Sequence, residues 1–287
     1  MTTKRTTSDS DRLWEGSPLT ERRLDLAGVR TVVAEGGDGP SIVLLHGQGG
    51  FGAMWAPVAS ALAGRHRVVV PDLPGLGASE VTTGSLDTTG VVAWLGELIR
   101  QTCTEPPVLV GSSLGGSIAL HFALAHPEQV GRVVLVDSGS LGRFRPAPAA
   151  LLALIRYLRR PSVERLHRFA RYAFADPEGV RARGGARLAA LDAYHVDRAK
   201  QPTVRAANRK LLRSVGVRRI APDRLRGISV PVAMIWGRQD RIMRVRIAED
   251  ASRTYGWPLY PIDECGHVPM AEQPAAFGEA LRRVIEP

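Results

Sequence analysis

The sequence predicts an α/β fold: a mostly parallel eight-stranded β-sheet with helices on both faces and an inserted helical lid. Three observations carry this. Short, solidly apolar runs alternate with segments at helical spacing, glycine-rich turns end several of those runs, and one long stretch, residues 138–227, contains no strand-like run at all.

In chain order, residues 24–34 are partly alternating and suit two antiparallel strands joined near Gly28, and Gly36-Gly37-Asp38-Gly39-Pro40 is a turn cluster. Residues 41–45 are continuously apolar, as expected of a strand buried on both faces. The glycine-rich loop 46–52 and a short helix over 54–63 follow. Residues 67–70 form the next strand, and apolar residues at 91, 92, 95, 98 and 99 give a helix over 88–101. Residues 108–111 are a strand that stops at a sharp turn and gives way to a helix ending near His126-Pro127; 132–136 is again a strand, with Asp137 at its end. Amphipathic helices are then expected at 149–159, 163–173, 187–196 and 204–214. The sheet resumes at 230–236, followed by a helix at 245–255, a strand at 258–262 and a helix at 274–285. The implied organisation is a disordered or extended tail over 1–19, a core made of 20–137 and 228–287, and a lid of 138–227.

At 287 residues, 44% apolar and 23% charged, the composition is that of a soluble globular chain with one large core. No run of about eighteen apolar residues exists, so no transmembrane helix is expected. Residues 1–10 are polar and Ser/Thr-rich without an apolar stretch, which argues against a secretion signal. The two cysteines, Cys103 and Cys265, form no disulfide framework; the expectation is a cytoplasmic protein. The net charge of +10 sits in one segment: residues 138–226 hold 21 Lys+Arg against 6 Asp+Glu, while the rest of the chain holds 17 against 22. Without interleaved aromatics this is no nucleic-acid tract. It reads as solvated helix faces or, more sharply, as attraction of an anionic or carrier-linked substrate.

The chemistry centres on Gly111-Ser112-Ser113-Leu114-Gly115. A strand, a turn too tight for a Cβ at either glycine, and a helix hold the Ser113 hydroxyl out at a helix N-terminus, which favours developing negative charge. The glycines of the loop after residue 45 let a backbone N–H approach a ligand closely, as a second oxyanion donor must.

Four motifs in order make the chain resemble the α/β-hydrolase superfamily from about residue 20 to the end: His46-Gly47-Gln48-Gly49, Gly111-Ser112-Ser113-Leu114-Gly115-Gly116, Trp236-Gly237-Arg238-Gln239-Asp240, and Gly266-His267-Val268-Pro269 running on to Glu272-Gln273-Pro274. The resemblance implies a Ser-Asp-His triad of Ser113, Asp240 and His267. His267 would be the base, Asp240 its orienting acid, and the N–H groups of Leu114 and of Gln48 or Gly49 the oxyanion hole. Asp137 also ends a strand and stays open as the acid. Ser112 lacks the flanking glycines, and His46 is read as a prop for the oxyanion loop. Asp72 is a turn residue, Cys265 a packing residue, and His121, His126, His167 and His195 are helix or lid residues. No metal-ligand spacing occurs and no metal or cofactor is expected.

Serine in place of aspartate separates the chain from epoxide hydrolases and haloalkane dehalogenases. Leu114 stands where proline iminopeptidases tend to have tryptophan, and Val268 where carbon–carbon bond hydrolases often do. The expected activity is hydrolysis of a carboxylic ester, lactone or thioester of a small-molecule acyl substrate through an acyl-enzyme. The alternatives are carbon–carbon cleavage, acyl transfer or cyclisation at the same triad, and a non-catalytic ligand receptor.

Overall fold

The computed structural model describes residues 11–142, 146–216 and 218–286. Its strands and helices follow the order β1 Thr20–Leu26, β2 Val29–Gly36, β3 Ser41–Leu45, α1 Ala56–Leu62, β4 Arg67–Pro71, β5 Glu80–Val81, α2 Thr88–Thr102, β6 Val108–Ser112, α3 Leu114–Ala125 and β7 Arg132–Val136. Five helices come next: α4 Pro148–Arg159, α5 Val163–Ala173, α6 Pro177–Lys200, α7 Pro202–Leu211 and α8 Pro222–Arg226. The chain closes with β8 Val232–Gly237, α9 Arg246–Tyr255, β9 Leu259–Ile262, α10 Pro269–Glu272 and α11 Pro274–Ile285.

The sheet runs β1-β2-β4-β3-β6-β7-β8-β9. β1, β2 and β4 pair antiparallel, and every pairing from β4–β3 to β8–β9 is parallel. Successive residues of a strand point to opposite faces, so Val43 and Leu45 join a cluster with Trp94, Leu95 and Ile118 of α2 and α3, while Ile42 and Leu44 join Trp55, Phe277 and Leu281 on the other face. Burial on both faces explains why β3, β6 and β7 read as solid apolar runs.

Three details depart from the sequence expectation. Eight strands lie on the main path, and the two-residue β5 adds a ninth by pairing with β2; two exposed residues carry no periodicity to read. α6 begins at Pro177, about two turns before the pair Gly184-Gly185, because Asp176 caps its N-terminus by accepting the Gly179 N–H; Gly185, at φ 47°, marks a kink where two helices meet. Of the tail expected over 1–19, residues 1–10 lie outside the described residues, whereas Asp11–Trp14 form a 3-10 turn whose Leu13 and Trp14 pack with Leu19 against the α1 and α11 side of the sheet. Their apolar burial outweighs the polar composition around them.

The glycines at the β6–α3 junction are there for space. A Cβ on Gly111 would meet the Gly116 nitrogen at 2.4 Å, and one on Gly115 would meet the Leu45 carbonyl oxygen at 2.3 Å. Both obstacles are backbone, so neither can swing away. Gly278, in α11, has nothing within 4 Å of its missing Cβ. Gly115→Ala is therefore expected to lower the unfolding free energy by about 2 kcal/mol or more, and Gly278→Ala to raise it by about 0.5–1 kcal/mol. Urea denaturation of the two variants beside the parent checks both signs.

Candidate active site

Ser113 sits between β6 and α3 at φ 50°, ψ −109°, a region that L-residues with side chains avoid at a cost of about 1–3 kcal/mol. Two backbone bonds hold it there: its N–H donates to the Val136 carbonyl at 2.9 Å, and its carbonyl accepts the Gly139 N–H at 3.1 Å. Leu114 is the first residue of α3, so its N–H has no partner four residues back in the helix.

The loop after β3 runs against this turn. A Cβ on Gly47 would lie 3.3 Å from the Ser113 Cβ, and Gly49 adopts φ 68°. His46 fastens the loop from beneath: its Nδ1 lies 2.9 Å from the Gly47 carbonyl oxygen and its Nε2 accepts the Leu73 N–H at 2.9 Å. Only a neutral ring with its proton on Nδ1 satisfies both. Asp72 ties the adjoining turn by accepting the N–H groups of Gly52 and Ala78, each at 2.6 Å.

His267 follows β9, and its Nδ1 stands 2.7 Å from Asp240 Oδ2. The other Asp240 oxygen accepts the N–H groups of Ile242 at 2.7 Å and Met243 at 2.9 Å, which pins the carboxylate in one orientation. Asp240 is 4% exposed and lies behind the histidine. Asp137, the other acid left open, is fully buried beside them: one atom each of Asp137, Asp240 and His267 lie within 4.8 Å of one another. Such a trio has the composition of a metal site, but the 2.7 Å contact is a hydrogen bond, and both Asp240 oxygens already have donors.

Ser113, Leu114, Gln48, Gly49 and His267 all line one cavity of about 290 Å³. The structure thus gathers five of the six expected site residues around one space and sets the sixth, Asp240, against the His267 imidazole from behind. The remaining wall comes from the helical insertion and is mostly aliphatic and aromatic, with Leu151, Leu154, Leu158, Leu166 and Phe169 among its members.

Several residues of this wall were read from the sequence only as helix residues, or not singled out. Tyr157 and Asn208 line the cavity, are 4% and 8% exposed, and the Tyr157 hydroxyl and Asn208 Oδ1 have no hydrogen-bond partner among the described residues. His167 Nε2 lies within hydrogen-bond distance of Asp192 Oδ2, at 2.6 Å, and Arg181 also faces the space. Burial holds the His195 ring neutral, its pKa pushed down to about 4. Glu272 was quoted only as part of a motif. It is buried and accepts the N–H groups of Gly266 at 2.9 Å and Ala175 at 2.7 Å, joining the His267 loop to the end of α5. The His267 N–H itself donates to the Ala173 carbonyl at 2.6 Å. No periodic signal marks these residues, because their partners lie elsewhere in the chain, 25 positions apart for His167 and Asp192 and 97 for Glu272 and Ala175. Burial pushes the Cys265 thiol up, as befits a packing residue beside carboxylates.

A parallel sheet whose carboxyl edge presents a serine at a strained turn, a histidine and a buried acid defines a hydrolase of the α/β class. The sequence model of the alpha/beta hydrolase family matches residues 42–280, and the chain belongs to that family. It is 30% identical to a pimeloyl-[acyl-carrier protein] methyl ester esterase of Aeromonas hydrophila, over 87% of this chain and 96% of that one. It is 31% identical to a 2-hydroxy-6-oxononadienedioate/2-hydroxy-6-oxononatrienedioate hydrolase of Cupriavidus pinatubonensis, over 86% of each. Among solved structures, an esterase of Rhodococcus sp. ECU1013 superposes with a TM-score of 0.77 at 25% identity, covering 94% of this chain and 98% of that one. Among the described residues, no helix is long and apolar enough to cross a membrane.

The His46 arrangement has a pH consequence. Burial lowers its pKa from 6.5 to about 4. The unfolded chain therefore takes up a proton near pH 6.5 and the folded chain only near 4, so stability present above 6.5 is lost as pH falls through that window, by about 3 kcal/mol in all. Asp72 works in the opposite sense, since burial raises its pKa to about 6 and its contribution declines as pH rises from 3.8 to that value. His46→Gln isolates the histidine: the stability gap between parent and variant should narrow as denaturation is repeated from pH 7 down to pH 4.5.

Proposed function

We propose that this α/β hydrolase is a serine hydrolase that cleaves a carboxylic ester, lactone or thioester through an acyl-enzyme, with Ser113 as nucleophile, His267 as base and Asp240 as orienting acid. The observation that carries the reading is the 2.7 Å pairing of His267 Nδ1 with a carboxylate fixed by two N–H donors, at the edge of the cavity that also holds Ser113. With Nδ1 engaged, Nε2 is the ring atom left to take the Ser113 proton. Attack by Ser113 Oγ forms the carbon–oxygen bond and places negative charge on the former carbonyl oxygen. The N–H groups of Leu114 and of Gln48 or Gly49 hold that charge, each contributing about 3 kcal/mol of barrier lowering. His267 then returns the proton to the leaving alcohol or thiol, and in a second round activates the water that releases the acid.

The insertion over 138–227 acts as a lid in this reading, since α4, α5, α6 and α7 supply the far wall of the cavity. An apolar wall with unpartnered polar atoms on Tyr157 and Asn208 suits an aliphatic acyl group bearing one uncharged oxygen. The arginines of 138–226 suit an anionic or carrier-linked substrate, and one relative acts, by its name, on an acyl-carrier-protein ester. The similarity to the Cupriavidus hydrolase favours carbon–carbon cleavage at the same residues as the second reading.

Ser113→Ala should abolish turnover, by about 10⁴-fold or more, with the far-ultraviolet spectrum and melting temperature unchanged. A fluorophosphonate should label the parent and not the variant. Full activity in Ser113→Ala would remove the proposal. A panel of graded p-nitrophenyl esters, acyl-carrier thioesters and vinylogous diketones separates the two readings, and a fall in the thioester rate with added salt is expected if the arginines draw the substrate in.

A further inference from the structure

Asp137 takes no part in the steps above, yet it occupies an expensive position. It ends β7 at φ 44°, outside the comfortable range for a residue with a side chain, and it is completely buried. Its Oδ1 accepts the Gly237 N–H at 3.0 Å, while its Oδ2 meets no donor among the described residues. Donors are unequally shared between the two acids: the N–H groups of Ile242 and Met243 and the His267 ring all converge on Asp240, against a single N–H on Asp137. Two carboxylates at this separation, both out of water, cannot both keep their charge. The better-solvated one ionises and the other holds a proton.

We infer that Asp137 is a protonated carboxyl that positions Asp240, its Oδ2 hydrogen donating to an Asp240 oxygen so that the charge of the pair rests on the acid that faces His267. The inference depends on the proposed role of the Asp240–His267 pair. The titratable groups around Asp137 act in one direction: burial first and Asp240 second push its pKa well above the usual carboxylate range, and Glu272 adds to this. The neighbouring Cys265 thiol is itself raised and so contributes no negative charge near neutral pH. Asp137 thereby adds one further donor to Asp240 from the β7 side. It does so without adding a second negative charge beside the His267–Asp240 pair.

The test uses Asp137→Asn, which keeps a donor at nearly the same place, and Asp137→Ala, which removes it. The infrared spectrum of the parent at pH 7, minus that of Asp137→Asn, should show the carbonyl band of a protonated carboxyl. This readout is independent of any activity, so it fails only if Asp137 is ionised. In kinetics with p-nitrophenyl butyrate between pH 5 and 9, Asp137→Asn should keep the acid limb of kcat/KM in place. Asp137→Ala should lower kcat by up to about 100-fold with KM little changed, as a misaligned base does. A missing infrared band, or an acid limb displaced downward in Asp137→Asn by about one pH unit, would show a charged Asp137 and overturn the inference. So would parental kcat in a folded Asp137→Ala. A parent that leaves fluorophosphonate unreacted while showing the band would instead defeat the triad reading and leave the proton assignment standing.

Discussion

A serine held at positive φ is possible here because three backbone segments close around it. A methyl group at Gly111 would overlap the Gly116 nitrogen within the β6–α3 turn and one at Gly115 the Leu45 carbonyl oxygen at the end of β3, and the Ser113 N–H and carbonyl are taken by Val136 and Gly139 on the neighbouring strand and its loop. The strain is local and costs on the order of 1–3 kcal/mol. Burial of the parallel strands on both faces supplies far more, so the sheet can impose the conformation. The geometry of the hydroxyl follows from this constraint, and so does the placement of the Leu114 N–H at the head of α3.

The same economy recurs at the two loops that complete the site. Each is built on a buried ionisable group that accepts main-chain N–H groups: Asp72 and His46 under the glycine-rich loop, Asp240 and Glu272 around His267. Loops without regular structure leave their N–H groups unpaired, and a buried acceptor both satisfies those groups and sets the path of the chain. Glu272 also reaches Ala175, just beyond α5 in the helical insertion, so the histidine loop and the cavity's far wall share one anchor. A motion of the insertion would therefore be felt at His267.

Sequence and structure agree most closely where a signal is local. The solid apolar runs mark the buried parallel strands, and glycines flanking Ser113 mark a turn whose physical reason is visible in the clashes that a Cβ would cause. They part where a pattern is too short or where a favourable contact lies far away. β5 has two residues, α6 begins ten residues ahead of the helix expected at 187–196, and Leu13 and Trp14 sit in a polar stretch but find an apolar surface to cover.

By itself the sequence determined the fold class and most of the order of strands and helices, because propensity, periodicity and turn chemistry act over a few neighbouring residues, and the motifs that resemble the α/β-hydrolase superfamily marked Ser113, Asp240 and His267 as candidates. Only the tertiary structure decided that Asp240 and not Asp137 faces the histidine, that Glu272 holds the histidine loop, and that Tyr157 and Asn208, with unpartnered buried polar atoms, line the cavity. Those choices depend on which side chains meet once the chain has folded, and on which of two buried carboxyls finds more donors. Neither quantity is written in any short stretch of the chain.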